Sequence, residues 1–197
     1  ARIVSCMQSA AREVELAIPN ADSVKNIIGL SLPKAVTTLF PDCNEQQAKD
    51  VIAQYKHHYG AVDKTPTPLF DDAVHLLSQL RENNKLLAVA TGKAREGLER
   101  VWQLSDTKHF FHTSRCADEA LSKPDPEMIT SILAELSIPA EKAIMIGDTS
   151  FDLEMALRAG VASIGVTYGV HDKEVLASYQ PKIIVDSLAE IQALFAN

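Results

Sequence analysis

From residue 1 to about residue 60 the apolar positions recur at helical spacing and never alternate. Ile3, Val4, Met7, Ala10, Ala11 and Val14 form one amphipathic stripe. "NADSVKNIIGLSLPKAVTTLF" predicts two short helices, the first ending at Gly29 and the second opening at Pro33. "NEQQAKDVIAQYKHHYGAV" predicts another, with Asn44 as N-cap and Gly60 near its end. After the "DKTPTP" linker the pattern changes. A helix over 70–83 leads into the apolar run "KLLAVATG" (85–92), and "KAREGLERVWQL" is helical again. "FFHTSRC" predicts a short strand, "DPEMITSILAELS" a helix, and "EKAIMIGD" (141–148) a strand. "SFDLEMALRAG", "HDKEVLASY" and "LAEIQALFA" predict helices, separated by the strands "VASIGVTYG" and "PKIIVDS".

Strands alternating with helices of ten or so residues imply a parallel sheet covered on both faces. The expected class is therefore α/β. A Rossmann-like core over 63–197 follows a small all-helical domain over 1–62. Ligands of open parallel sheets bind beyond the carboxyl ends of the strands. That rule selects three places: after Ala90, around Ser122, and after Gly147.

Composition narrows the function. At 197 residues, 46% hydrophobic and 23% charged, the chain is globular rather than disordered. A net charge of −7 without any basic block argues against nucleic acid as partner, yet leaves room for a small phosphorylated substrate. No apolar run is long enough to span a bilayer. Cys6, Cys43 and Cys116 are odd in number, far apart and without a CxxC pair, so a reducing, cytoplasmic setting is expected. A monomer or homodimer is the expected assembly.

Asp148 follows "AIMIG" and Asp152 lies four positions on, at the start of a helix. Two carboxylates at a strand tip make a hard oxygen site of the kind Mg²⁺ prefers. Thr149 and Asp152 also fit the [ST]-x-x-[DE] capping box, which accounts for Asp152 but not for Asp148 or Gly147. Thr91-Gly92 ends another apolar run and could hold an oxyanion, or simply cap the helix beginning near Ala94. It is no Walker loop, because Leu87 stands where the first glycine would be. Lys123, ahead of Pro124 and Pro126, could neutralise a phosphoryl group or be an ordinary surface lysine. His57 and His58 read as solvated, Trp102 and Phe110-Phe111 as core, and Gly29 as a helix end and turn.

The ordered set "ATG", "SKPDP" and "GDTSFD", on successive strand-to-helix junctions, resembles the second, third and fourth motifs of the haloacid dehalogenase superfamily. "GDxxxD", a helix ending in "AG", and then "VASIGVTYG" are similar to its phosphoglycolate phosphatase-like branch. The resemblance covers the whole chain, with residues 1–62 matching the helical cap domain. It implies that Thr91 and Gly92 bind phosphoryl oxygens, that Lys123 stabilises the nucleophile and the phosphoryl charge, and that Asp148 and Asp152 build the Mg²⁺ site. The activity implied is Mg²⁺-dependent hydrolysis of a small phosphorylated metabolite through a phosphoaspartate. A β-phosphoglucomutase-type mutase and a non-catalytic phosphate- and Mg²⁺-binding protein remain as alternatives; a dehalogenase fits less well, since its chemistry needs no Mg²⁺.

One motif departs from the pattern. The DxDxT segment, which carries the aspartate nucleophile and the acid/base aspartate on the first strand, is absent from these residues. In this fold that strand lies between those represented by "LLAVAT" and "AIMIGD". Its loss would leave buried backbone groups unpaired. The expectation is that the strand lies upstream of residue 1, and that the 197 residues alone are inactive.

Overall fold

The computed structural model describes residues 2–196, which fall into two compact units, Ala1–Thr67 and Pro68–Asn197. The first is helical. Helix α1 (Arg2–Glu13) buries Cys6, Met7, Ala10 and Ala11, one face at spacings of three and four. Helices α2 (Ala21–Lys25), α3 (Leu32–Leu39) and α4 (Glu45–His57) supply Val24, Ala35, Val36 and Val51 to the unit's core. Asn44 opens α4 with a capping box closed by Gln47. A π-helical segment, His58–Val62, continues α4. There Arg2 donates to the carbonyls of Tyr59, Asp63 and Thr65 and lies 4.4 Å over the Tyr59 ring.

Two local expectations change. Helix α2 stops at Lys25 rather than Gly29, because Ile28 and Leu30 donate three residues back and Gly29 takes φ +113°, both incompatible with a continuing helix. His57 is exposed as expected, but His58 is largely covered and pairs with Glu13 at 2.8 Å.

The second unit alternates as expected: α5 (Ala73–Glu82), β1 (Ala88–Ala90), α6 (Arg95–Ser105), β2 (Thr113–Arg115), α7 (Glu127–Leu136), β3 (Ile144–Gly147), α8 (Ser150–Arg158), β4 (Ala162–Val166), α9 (Lys173–Ala177), β5 (Ile183–Val185) and α10 (Leu188–Leu194). Every ladder is parallel, but there are two: β1 pairs β2, and β3, β4 and β5 follow in that order. Among the described residues no ladder joins β1 to β3.

The same helices nevertheless cover both ladders. Leu76 and Leu80 of α5 form a cluster with Ile164, Val166, Val185 and Ile191, against which both Leu87 and Ile146 pack. Met128 and Ile129 of α7 cluster with Met155 and Ala156 of α8, and both Ala90 and Met145 pack there. A third cluster, Leu98, Trp102 and Cys116, lies under Val89 and Phe111, so Trp102 is core as expected. Strand β4, paired on both sides, buries four of its five residues. Strand β3, paired on one side, leaves Ile144 exposed. Strand β1, also paired on one side, shrinks to three residues of the apolar run over 85–92. Strand length here follows the number of partners, which periodicity does not report. Among the described residues no helix is long and apolar enough to cross a membrane.

Candidate functional site

Lys123, Asp148, Asp152 and the Thr91 loop all lie at carboxyl ends of strands in the second unit. Lys123 is no surface lysine. Only 5% of it is exposed, and its Nζ donates to Asp152 Oδ1 at 2.6 Å and to the carbonyl of Ala90 at 3.0 Å. The loop that delivers it is folded on itself: Asp125 N–H donates to Ser122 O, Glu127 N–H to Asp125 Oδ1, and Leu121 N–H to Glu127 Oε2. One ammonium thus ties the end of β1 to the start of α8, across the gap between the ladders.

Asp152 serves two ends. Its Oδ2 accepts from the backbone and hydroxyl of Thr149, completing the capping box of α8, while Oδ1 takes Lys123. This also accounts for Gly147. A Cβ there would fall 2.3 Å from Asp152 Cβ and 2.8 Å from its Cγ, so the carboxylate can lie against the strand end only because position 147 has no side chain.

Asp148 is held differently. Its Oδ2 accepts from Val170 N–H at 3.0 Å and its carbonyl from His171 N–H at 3.1 Å. Burial, and then the charge of Asp152, push the Asp148 carboxyl above its ordinary range. Tyr168 lies close enough that burial and the Asp148 charge push its hydroxyl up to about 12. Gly169 completes the enclosure, since a Cβ there would fall 2.2 Å from Asp148 Oδ2. In the sequence Tyr168 and Gly169 are only the end of "VASIGVTYG", with no role at the site for any of residues 168–171. The signal that could have found them was their place at the tip of β4, next to β3.

Thr91 does not cap α6; the N-cap position is Ala94. Instead Thr91 Oγ1 accepts from Lys93 N–H, curling the loop, and Thr91 N–H donates to Arg115 O. Arg95 anchors this loop to the one after β2. Its guanidinium makes a two-pronged contact with Glu119 at 2.7 and 2.6 Å and reaches Ser114 Oγ, while its backbone N–H donates to Asp118. Ala117 N–H donates to Lys93 O across the same gap. Cys116, Asp118 and Glu119 are close enough together to suggest a second metal group. Arg95 already supplies the positive charge there. Its hydrogen bonds, chiefly, hold the Glu119 carboxyl down to about 2, and burial pushes the Cys116 thiol up to about 11.

Residues 1–166 match the family model described as haloacid dehalogenase-like hydrolase. The chain is 30% identical over 193 residues to the protein named "Probable phosphatase IndB" of Dickeya dadantii (strain 3937), which covers 96% of this chain and 84% of that protein. It is 27% identical over 148 residues to a phosphoglycolate phosphatase of Salmonella typhi, covering 75% of this chain but only 59% of that enzyme. Among solved structures, a haloacid dehalogenase-like hydrolase from Bacteroides fragilis superimposes with a TM-score of 0.88 at 23% identity, over 96% of this chain and 90% of that one. That last likeness speaks for the fold.

Two outcomes are expected. Lys123→Met leaves the Asp152 carboxylate buried without its counter-charge, and breaking a buried pair from one side costs about 3–5 kcal/mol. Urea unfolding should show a loss of that order, partly recovered in Lys123→Met/Asp152→Asn. The second concerns acid. Glu119 has its folded pKa lowered from 4.5 to about 2, so its contribution to stability is complete above 4.5 and disappears as the pH falls through about 2. Carboxyl NMR titration should place Glu119 in that window, and Arg95→Gln should move its midpoint back toward 4.5.

Proposed function

The chain belongs to the haloacid dehalogenase-like hydrolases, and from that membership we propose a Mg²⁺-dependent phosphomonoesterase acting on a small phosphorylated metabolite of the phosphoglycolate kind. Membership makes it a hydrolase of phosphoric monoesters; the cation, the substrate and the covalent step are the proposal. The observation that carries it is the charge balance at the strand tips. Asp148 and Asp152 face one buried ammonium, Lys123, which leaves an excess of negative charge in a half-buried place.

That balance suits a hard cation. Asp148 keeps a second carboxylate oxygen, Oδ1, beyond the one bound by Val170, and Mg²⁺ commonly binds through one or two carboxylates with water and substrate phosphate completing its shell. Asp148 would hold it, and Asp152, its oxygens taken by Thr149 and Lys123, would order the site. Once bound, Mg²⁺ would offset charge on the transferring phosphoryl group.

The chain's own residues do the rest. Lys123 Nζ has three hydrogens, two spent on Asp152 and Ala90, so one remains for a phosphoryl oxygen. Thr91 Oγ1 accepts from Lys93 N–H, which leaves its own hydrogen free to donate. These donors stand ready before the reaction, the arrangement that stabilises developing charge most effectively. Asp152 has both oxygens taken, and Asp148 is committed to the cation in this reading, so neither serves as the nucleophile. We infer that the nucleophilic carboxylate arrives on a further strand laid between β1 and β3, where no ladder joins them. That carboxylate would form a bond to phosphorus as the ester P–O bond breaks, and the departing alkoxide would take a proton from an acid on the same strand. Water would then attack the acyl phosphate, releasing inorganic phosphate and restoring the carboxylate.

Phosphate release from phosphoglycolate, followed against Mg²⁺ concentration in protein that includes this strand, tests the reading. Asp148→Asn should abolish the Mg²⁺-dependent rate. Thr91→Val, which removes one prepared donor, should lower kcat by roughly a hundredfold or more. Undiminished Mg²⁺-dependent turnover in Asp148→Asn would sink the assignment.

A further inference from the structure

We infer that the segment Gly169–Val170–His171 is a clasp that sets the Asp148 carboxylate for its cation, with His171 as the positioning residue. This rests on the reading of Asp148 as the cation's ligand. Three hydrogen bonds join the loop after β4 to the loop after β3: Val170 N–H to Asp148 Oδ2 at 3.0 Å, His171 N–H to Asp148 O at 3.1 Å, and Ser150 N–H to His171 Nδ1 at 2.9 Å. The first two run from the β4 loop to Asp148. The third runs back, from the opening turn of α8 to the imidazole, and closes the ring.

The geometry of each member is specific to the task. Gly169 lies so close that a Cβ would meet the Cβ, Cγ and Oδ2 of Asp148 at 2.2 to 2.5 Å, so the loop presses directly on the carboxylate. Val170 N–H occupies Oδ2 and thereby fixes which oxygen, Oδ1, is turned elsewhere. The imidazole accepts at Nδ1, so in its neutral form the proton is on Nε2, and that atom is buried with no partner among the described residues. A ring placed for packing alone would more readily expose or pair that donor. Here it stays unpaired while Nδ1 holds Ser150, and the Phe151 ring lies 6.2 Å away. Without the imidazole, no side-chain hydrogen bond among the described residues ties this loop to α8, and Val170 N–H is free to drift from Oδ2. The carboxylate would then turn between rotamers and bind a cation less well.

Groups that orient a ligand from behind typically change metal affinity by about 10–100-fold when removed. Mn²⁺ is the probe, its binding to the purified protein measured by electron paramagnetic resonance, with circular dichroism to confirm folding. His171→Ala should weaken Mn²⁺ binding by about tenfold or more. His171→Asn, whose side-chain oxygen can still accept from Ser150 N–H, should restore most of it. His171→Phe, which keeps a packed ring and loses the acceptor, should behave as His171→Ala does. Gly169→Ala should bind most weakly of all. Unchanged affinity in His171→Ala, or His171→Asn as weak as His171→Ala, overturns the clasp. A different result, no Mn²⁺ binding by the unaltered protein or undiminished binding in Asp148→Asn, overturns the reading of Asp148 as ligand, and the clasp with it.

Discussion

The second unit is organised around a buried ion pair. Lys123 and Asp152 are 2.6 Å apart with 5% and 7% of their side chains exposed, and charges so deeply placed are tolerated only when paired and hydrogen-bonded. Much of the local structure follows from meeting that demand. Thr149 supplies two donors to the outer oxygen of Asp152, Ala90 offers its carbonyl to the ammonium, and Gly147 gives up a side chain so that the carboxylate can lie against the end of β3. The rigid, proline-containing loop after β2 brings in the lysine, and the Arg95–Glu119 contact joins that loop to the one carrying Thr91. A pair that replacement by apolar groups could equal in stability is better understood as fixing geometry. The geometry fixed here is that of three strand-to-helix junctions.

The same pair explains how the two ladders hold together. Strands β1 and β3 exchange no ladder bonds, so their relation depends on the shared helices α5 and α7 and on Lys123, which reaches both sides. The cost is visible in the strands: those paired on one side are short or half exposed, and β4, paired on both, is buried. The further strand proposed between β1 and β3 would pair with both and end near Lys123, Thr91 and Asp148. The excess negative charge and the break between the ladders therefore coincide.

Much of this was legible in the sequence. Alternating apolar runs and helical stripes carry the α/β order directly, because period and composition are local. Thr91, Asp148 and Asp152 were legible because each ends an apolar run or opens a helix where ligands of parallel sheets bind, and Lys123 because two prolines hold its loop at the next such junction. What escaped was whatever depends on a partner distant in the chain. Strand lengths depend on pairing, so the run over 85–92 yields three strand residues. Gly147 resisted a local account because its reason is the Asp152 side chain folding back over it. Gly169 and His171 answer to Asp148 and Ser150 some twenty residues earlier, and Arg95 to Glu119 further on. Lys123 had two readings in sequence, and only burial distinguishes a site lysine from a solvated one.

The most direct test of the central claim is a crystal structure of the protein grown with Mg²⁺ and inorganic phosphate. The cation should sit on the Asp148 carboxylate and the anion within hydrogen-bond distance of Thr91 Oγ1 and Lys123 Nζ, with the Lys123–Asp152 pair intact. A cation bound away from Asp148, or a phosphate held elsewhere with Thr91 and Lys123 disengaged, would contradict it.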